Sequence, residues 1–143
     1  MTLITTTGLH HLRLTVTELD RSCEFYTNVL GFEIAARSTG SADDPEVRAD
    51  PWRFYGGVVL QANGMLLGLR PVAEKSERFV SERVGLDHLS FTVDSVNELE
   101  LAVHRLDEAG VEHGDIIEWA DLGIAILSFD DPDGIHLELT APL

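Results

Sequence analysis

The nine residues GLHHLRLTV, at 8–16, return as GLDHLSFTV at 85–93. Six of the nine positions are identical, and His11 and His88 stand 77 residues apart at equivalent places. Each phrase alternates apolar and polar side chains, the period of a strand with one buried face. Leu12, Leu14 and Val16 share one face of the first copy, with His11, Arg13 and Thr15 on the other. In the second copy Leu89, Phe91 and Val93 oppose His88, Ser90 and Thr92. A strand written twice at this distance points to a duplicated plan rather than one continuous sheet.

The flanking sequence extends the repeat. TELDRSCEFYTNVLGFE carries Ser22, Phe25, Tyr26, Val29 and Leu30 at helical spacing, with Gly31 as a helix stop. DSVNELELAVHRLDEAGVE sets Leu99, Val103 and Leu106 in one apolar stripe, with Ser95 and Glu98 reading as a capping box and Gly110 as the stop. Short strands follow each helix: FEIAAR, GGVVLQA and MLLGLR in the first half, DIIEW, IAILSF and IHLELT in the second. The fold class is therefore α+β, with one βαβββ module over 8–72 and another over 85–143. Residues 73–84, AEKSERFVSERV, form a charged linker with room for a short helix. In the closing strand Leu137 and Leu139 are core-facing, while His136, Glu138 and Thr140 lie opposite. Each half thus has a greasy face under its helix and a polar face bearing His or Glu. Two such polar faces curled together would make a cup.

Composition narrows the partners. A chain of 143 residues reads as one domain, with 44% hydrophobic and 24% charged residues, ordinary for a globular protein. No apolar run approaches the roughly 20 residues of a membrane helix, and the start lacks the pattern of a signal peptide. The single cysteine, Cys23, allows no intrachain disulfide, so a reducing cytoplasm is expected. A net charge of −15 argues against nucleic acid and membrane partners. It suits a cationic ligand and solubility equally well.

The phrases HHLRLTV, SCEFYTNVLGFE, DHLSFTV and FDDPDGIHLEL resemble the vicinal oxygen chelate superfamily, over nearly the whole chain. That superfamily includes glyoxalase I, extradiol dioxygenases, methylmalonyl-CoA epimerase, fosfomycin-resistance thiol transferases and bleomycin-resistance proteins. The resemblance implies paired βαβββ modules, a homodimer, and one divalent metal held by residues from the first and last strands of each half. Carried over, the metal ligands are His11, His88 and Glu138. The remaining position, found by laying GMLLGLRP on GIHLELTA, is Gly68, where glyoxalase I has a carboxylate. Two imidazoles and one carboxylate are the donors of a facial triad, which leaves open positions for dioxygen or a bidentate substrate. Fe(II) is favoured by that set, with Mn, Co, Ni or Zn as alternatives. Extradiol enzymes carry a tyrosine where Ser128 stands, and fosfomycin enzymes carry a basic loop where EWADLGIA stands, so the subfamily stays open.

Other residues are read against this plan. His10 should point away from His11, and only His11 aligns with His88. His136 lies two before Glu138, about 7 Å along the same strand face. It is the candidate catalytic acid–base, with a fourth metal ligand, a group supporting a ligand, and a solvated strand-end histidine as the other readings. Arg13 and Arg70 are expected to grip a substrate carboxylate or enolate, against an internal ion pair. Trp52 and Phe54, with Tyr55, follow the mobile-looking stretch STGSADDPEVRADP and are expected to wall the substrate, against plain core. His104 and His113 read as surface residues. Together these readings favour a metal-dependent, dioxygenase-like enzyme acting on a small oxygenated molecule. A glyoxalase-like lyase or isomerase is the alternative. A bleomycin-resistance-type binder without catalysis is the third reading, supported by the acidic charge.

Overall fold

A computed structural model describes all of residues 1–143, and the chain divides into two units, Met1–Lys75 and Ser76–Leu143. The division falls within the linker. That segment holds turns and no helix, because its few large apolar residues, Phe79, Val80 and Val84, form no helical stripe and a short charged helix cannot sustain itself. Its backbone instead ties to the second unit, Phe79 N–H donating to the Asp133 carbonyl at 3.0 Å.

The first unit runs β1 (Leu12–Thr15), α1 (Leu19–Asn28), β2 (Glu33–Arg37), α2 (Pro45–Arg48), a 3-10 segment (Pro51–Gly56), β3 (Val58–Ala62) and β4 (Met65–Arg70). Its sheet has the order β1-β4-β3-β2, with β1 and β4 parallel and the other pairs antiparallel. The second unit repeats the plan: β5 (Leu89–Thr92), α3 (Val96–Ala109), β6 (Ile117–Trp119), a 3-10 turn (Ala120–Leu122), β7 (Ile124–Asp130) and β8 (His136–Pro142). Its order is β5-β8-β7-β6, with β5 and β8 parallel. Both modules are βαβββ, as the repeat predicts. The short α2 is the exception within the stretch expected to be mobile: Asp44 caps it by accepting from Glu46 N–H at 2.9 Å, and Pro45 pre-sets its first turn.

The alternation holds in both sheets. Leu14, Val16, Leu67 and Leu69 are buried on one side of the first, under Tyr26 and Cys23 of α1. Leu127, Leu137 and Leu139 are buried in the second, whose helix buries Leu99 and Leu106. The helix α3 stops at Gly110, which takes the left-handed conformation at its C-cap. By contrast, α1 ends earlier than expected, at Asn28 with Val29 as a right-handed cap, and the left-handed Gly31 follows in the turn beyond it. Ser95 is the N-cap of α3, but the capping box is not made: its side chain accepts no cap bond, and Glu98 N–H donates to the Ser95 carbonyl instead. The DDPDG run forms the turn before β8. There Asp131, buried, accepts at one oxygen from Asp133 and Ile135 N–H, each at 2.8 Å. Asp131→Ala orphans two buried donors, and urea unfolding is expected to show a loss of about 2 kcal/mol or more.

His113 departs from its expected place on the surface. Its side chain is only 16% exposed, with Nδ1 at 2.7 Å from the Gly114 carbonyl and Nε2 at 3.2 Å from Asp107 at the end of α3. Both partners are acceptors, so only the imidazolium, with two N–H donors, satisfies them together. The Gly114 carbonyl foremost, then Asp107 and the charge of Asp115, raise its pKa above the ordinary 6.5 against the opposing effect of burial. A raised folded pKa gives stability that is full below 6.5 and lost as pH climbs through the folded value. Melting curves at about pH 5.5 and about pH 8.5 should therefore show a larger drop for the native chain than for His113→Gln. Equal drops would remove His113 as the cause.

Candidate functional site

Each unit carries its own polar sheet face. In the first, register places Arg13 beside Gly68 and Thr15 beside Arg70, so the two arginines lie diagonally across adjacent strands. The missing side chain at 68 is what lets Arg13 lie flat on the sheet: a Cβ at Gly68 would stand 2.8 Å from Arg13 Nε. Tyr55 completes the group. Arg70 Cζ lies 3.7 Å from the Tyr55 ring centroid and Arg13 Cζ 5.5 Å from it, cation–π distances for both. Neither guanidinium pairs with a carboxylate, and Arg70 Nε is buried without a partner. The internal ion pair weighed against the substrate grip is not formed.

Tyr55 is the residue the sequence reading undervalued. Phe54 and Tyr55 both adopt left-handed backbone, φ 50° and 55°, a conformation that costs a side-chain-bearing residue about 1–2 kcal/mol. Nothing in the residue types announces it. Trp52, expected with Phe54 to form a wall or else core, is 91% exposed, and Phe54 is half-buried. A cavity of about 650 Å³ elsewhere in this unit is lined by Thr17, Arg37, Arg48 and Lys75, among others, and contains none of the expected site residues. Arg48 there is already satisfied by the carbonyls of Ala42, Pro71 and Val72. His11 precedes β1, where strand alternation does not yet apply. Its Nδ1 meets His10 Nδ1 at 2.9 Å and the rings cross edge to face, so the expected divergence of His10 does not occur.

In the second unit, the imidazoles and the carboxylate meet on the polar face of β5, β7 and β8. Glu138 sits in register between Ser90 and Ser128. Its Oε1 accepts from Thr140 Oγ1 at 3.3 Å, and that hydroxyl also bonds Ser90 at 2.6 Å. His88 Nδ1 is held by Asp87 at 2.5 Å, which turns Nε2 toward Glu138 Oε1, 4.0 Å away. His136 Nδ1 is held by Asp130 at 3.0 Å, and its ring meets that of His88 edge to face with centroids 5.9 Å apart. Each imidazole that donates from Nδ1 to a carboxylate presents a lone pair at Nε2. Asp87, Asp130 and Thr140 were not singled out from the sequence. The register of a hairpin across the DDPDG turn would have found Asp130 opposite His136. No three His, Cys, Asp or Glu side chains stand close enough to share an ion.

Comparison with known proteins decides the family. The model of the Glyoxalase/Bleomycin resistance protein/Dioxygenase superfamily matches residues 8–139. The chain belongs to that superfamily. Among relatives it is 32% identical over 136 residues to a catechol-2,3-dioxygenase of Bacillus subtilis (strain 168), covering 94% of this chain and 41% of that protein. It therefore spans well under half of that relative. It is 28% identical to glyoxylase I 4 of Arabidopsis thaliana, over 93% of this chain and 70% of that one. Among solved structures, a glyoxylase/bleomycin resistance protein/dioxygenase domain from Frankia sp. EAN1pec superposes with a TM-score of 0.76 at 29% identity, covering 97% and 94% of the two chains. The fosfomycin resistance protein FosX of Listeria monocytogenes shares the fold, with a TM-score of 0.72 at 20% identity and the same coverage. No helix of this superfamily member is long and apolar enough to cross a membrane.

The exposure of Trp52 makes a sharp stability contrast. Trp52→Ala should leave urea unfolding within about 0.5 kcal/mol of the native chain. Tyr26→Ala, which empties a fully buried site in α1, should cost about 3–5 kcal/mol by the same measurement.

Proposed function

We propose that this chain is a divalent-metal-dependent enzyme acting on a small molecule that offers two adjacent oxygens. The ion would be held by His11, His88 and Glu138. The observation that carries this reading is the second unit's donor pair: His88 Nε2 aimed at Glu138 Oε1, with the imidazole anchored from behind by Asp87 and the carboxylate by Thr140. Neighbouring donors on one ion stand about 3 Å apart, so this pair needs only a small inward adjustment from 4.0 Å. The donor chemistry fits a divalent ion. When bound, such an ion supplies Lewis acidity to a developing enolate or catecholate-type anion.

The remaining roles belong to the protein. Asp87 and Thr140 orient the donors, a support that commonly sets both affinity and geometry. His136, its Nδ1–H directed to Asp130, offers Nε2 as the proton acceptor beside His88. Gly68 brings no fourth donor. Three donors, and the likeness to a catechol-2,3-dioxygenase, favour a dioxygenase-like reaction with Fe(II). The His136–Asp130 pair favours the second reading, a glyoxalase-like lyase or isomerase with another divalent metal, for which the Arabidopsis relative is the parallel. A point mutant of FosX has been solved with Mn(II) and a dihydroxypropylphosphonic acid, so a related fold accommodates both an ion and a small oxygenated ligand. We take the enzyme to act in the cytoplasm as a homodimer.

Elemental analysis after reconstitution with Fe(II), Mn(II), Co(II), Ni(II) or Zn(II) tests this. One ion per chain is expected, with affinity reduced about tenfold or more in His88→Ala and Glu138→Gln. Oxygen uptake with catechols would then select the dioxygenase, and turnover of 2-oxoaldehyde–thiol adducts the lyase. A native chain that retains no ion under any of these conditions would overturn the reading in favour of a ligand-binding protein.

A further inference from the structure

We propose that Arg13, Arg70 and Tyr55 form a binding site for a small oxyanion, the carboxylate or phosphonate group of an organic acid. The inference rests on the proposed function only in taking that anion to be part of the substrate.

The first support is electrostatic. The chain carries a net charge of −15 with 25 acidic residues, yet two guanidiniums on diagonal positions of β1 and β4 have no carboxylate partner. Arg53, by contrast, is held by Asp50, and Arg48 by three carbonyls. Arg13 and Arg70 instead share the ring of Tyr55, and two like charges held beside one ring oppose one another until an anion joins them. Arg70 Nε is also buried with no acceptor, a donor that native structures rarely leave orphaned.

The second support is preorganisation. Tyr55 stacks on Arg70 at 3.7 Å, which fixes the guanidinium plane and leaves its N–H edge for a planar or tetrahedral oxyanion. That ring is delivered by two consecutive left-handed residues, and such backbone persists where the surrounding structure imposes it, often at ligand sites. Gly68 supplies the remaining room, since any Cβ there would collide with Arg13 Nε. Backbone conformation, a glycine and an aromatic ring thus converge on holding two cations ready. The anion must be small, because the overall charge repels extended polyanions such as nucleic acid.

Calorimetric titration of the metal-stripped full chain at low salt, with malonate and with methylphosphonate as probes, tests the site. Saturable binding of one anion per chain is expected, weakened about tenfold or more in Arg13→Ala and in Arg70→Ala. Tighter malonate binding would assign a carboxylate, and tighter methylphosphonate binding a phosphonate. Gly68→Ala keeps both arginines but shifts Arg13 from its present pose, so it should weaken binding, though less than Arg13→Ala does. Arg53→Ala should bind as the native chain does. Arg13 is exposed, so its variant keeps the test sound if Arg70→Ala fails to fold. Failure of both probes to bind the native chain, or undiminished binding by folded Arg13→Ala and Gly68→Ala, would overturn the proposal. Anion binding without ion uptake would sink the metal reading and leave this site standing; ion uptake without anion binding would do the reverse.

Discussion

In each unit the first strand of the module pairs in parallel with its last, β1 with β4 and β5 with β8. Parallel strands cannot be joined by a tight turn, so the helix and two further strands must intervene. The pairing therefore brings together residues that are over forty positions apart. It sets Arg13 beside Gly68 and Ser90 beside Glu138. The register is held from the other side of the sheet, where Leu14 pairs with Leu69 and Phe91 with Leu139. A slip by one residue would turn the leucines to water and the arginines into the core. The greasy face thus dictates where the polar chemistry lies.

One backbone plan carries two different chemistries. Both units bury an amphipathic helix against the apolar side of a four-stranded sheet. On the exposed side, the first presents guanidiniums and a tyrosine, the second imidazoles, hydroxyls and carboxylates. Because successive strand residues project to opposite faces, each polar set can change without disturbing the core behind it. That separation fits a family whose relatives include a dioxygenase and a glyoxylase on a common fold.

The fold was legible because its signals are periodic and repeated. The alternation of LRLTV and LSFTV fixed which side chains share a face, and Gly110 marked a helix end that the structure retains, while α1 ends shortly before Gly31. Of the site, His136, Glu138, Arg13 and Arg70 could be placed on polar faces from alternation alone, while His88, like His11, stands just before its strand. Their partners could not. Asp87 and Asp130 act through side-chain geometry next to, or across a hairpin from, the histidines. Tyr55 acts through a left-handed backbone that no residue type in PWRFYG foretells. His10 escaped the expected alternation because the strand begins only at Leu12. His113 looked solvated because its anchor, Asp107, belongs to the preceding helix.

Gly68 links two properties that would otherwise vary independently. A carbon atom at that position occupies the volume now taken by Arg13 Nε. A sequence that places any side chain there, a metal-binding carboxylate included, must therefore give up the present pose of Arg13 in the same step. The number of donors on this sheet face and the direction in which Arg13 presents its charge are thus set together, at one codon. A bulkier residue at this strand position leaves Arg13 its charge but swings the guanidinium off the sheet.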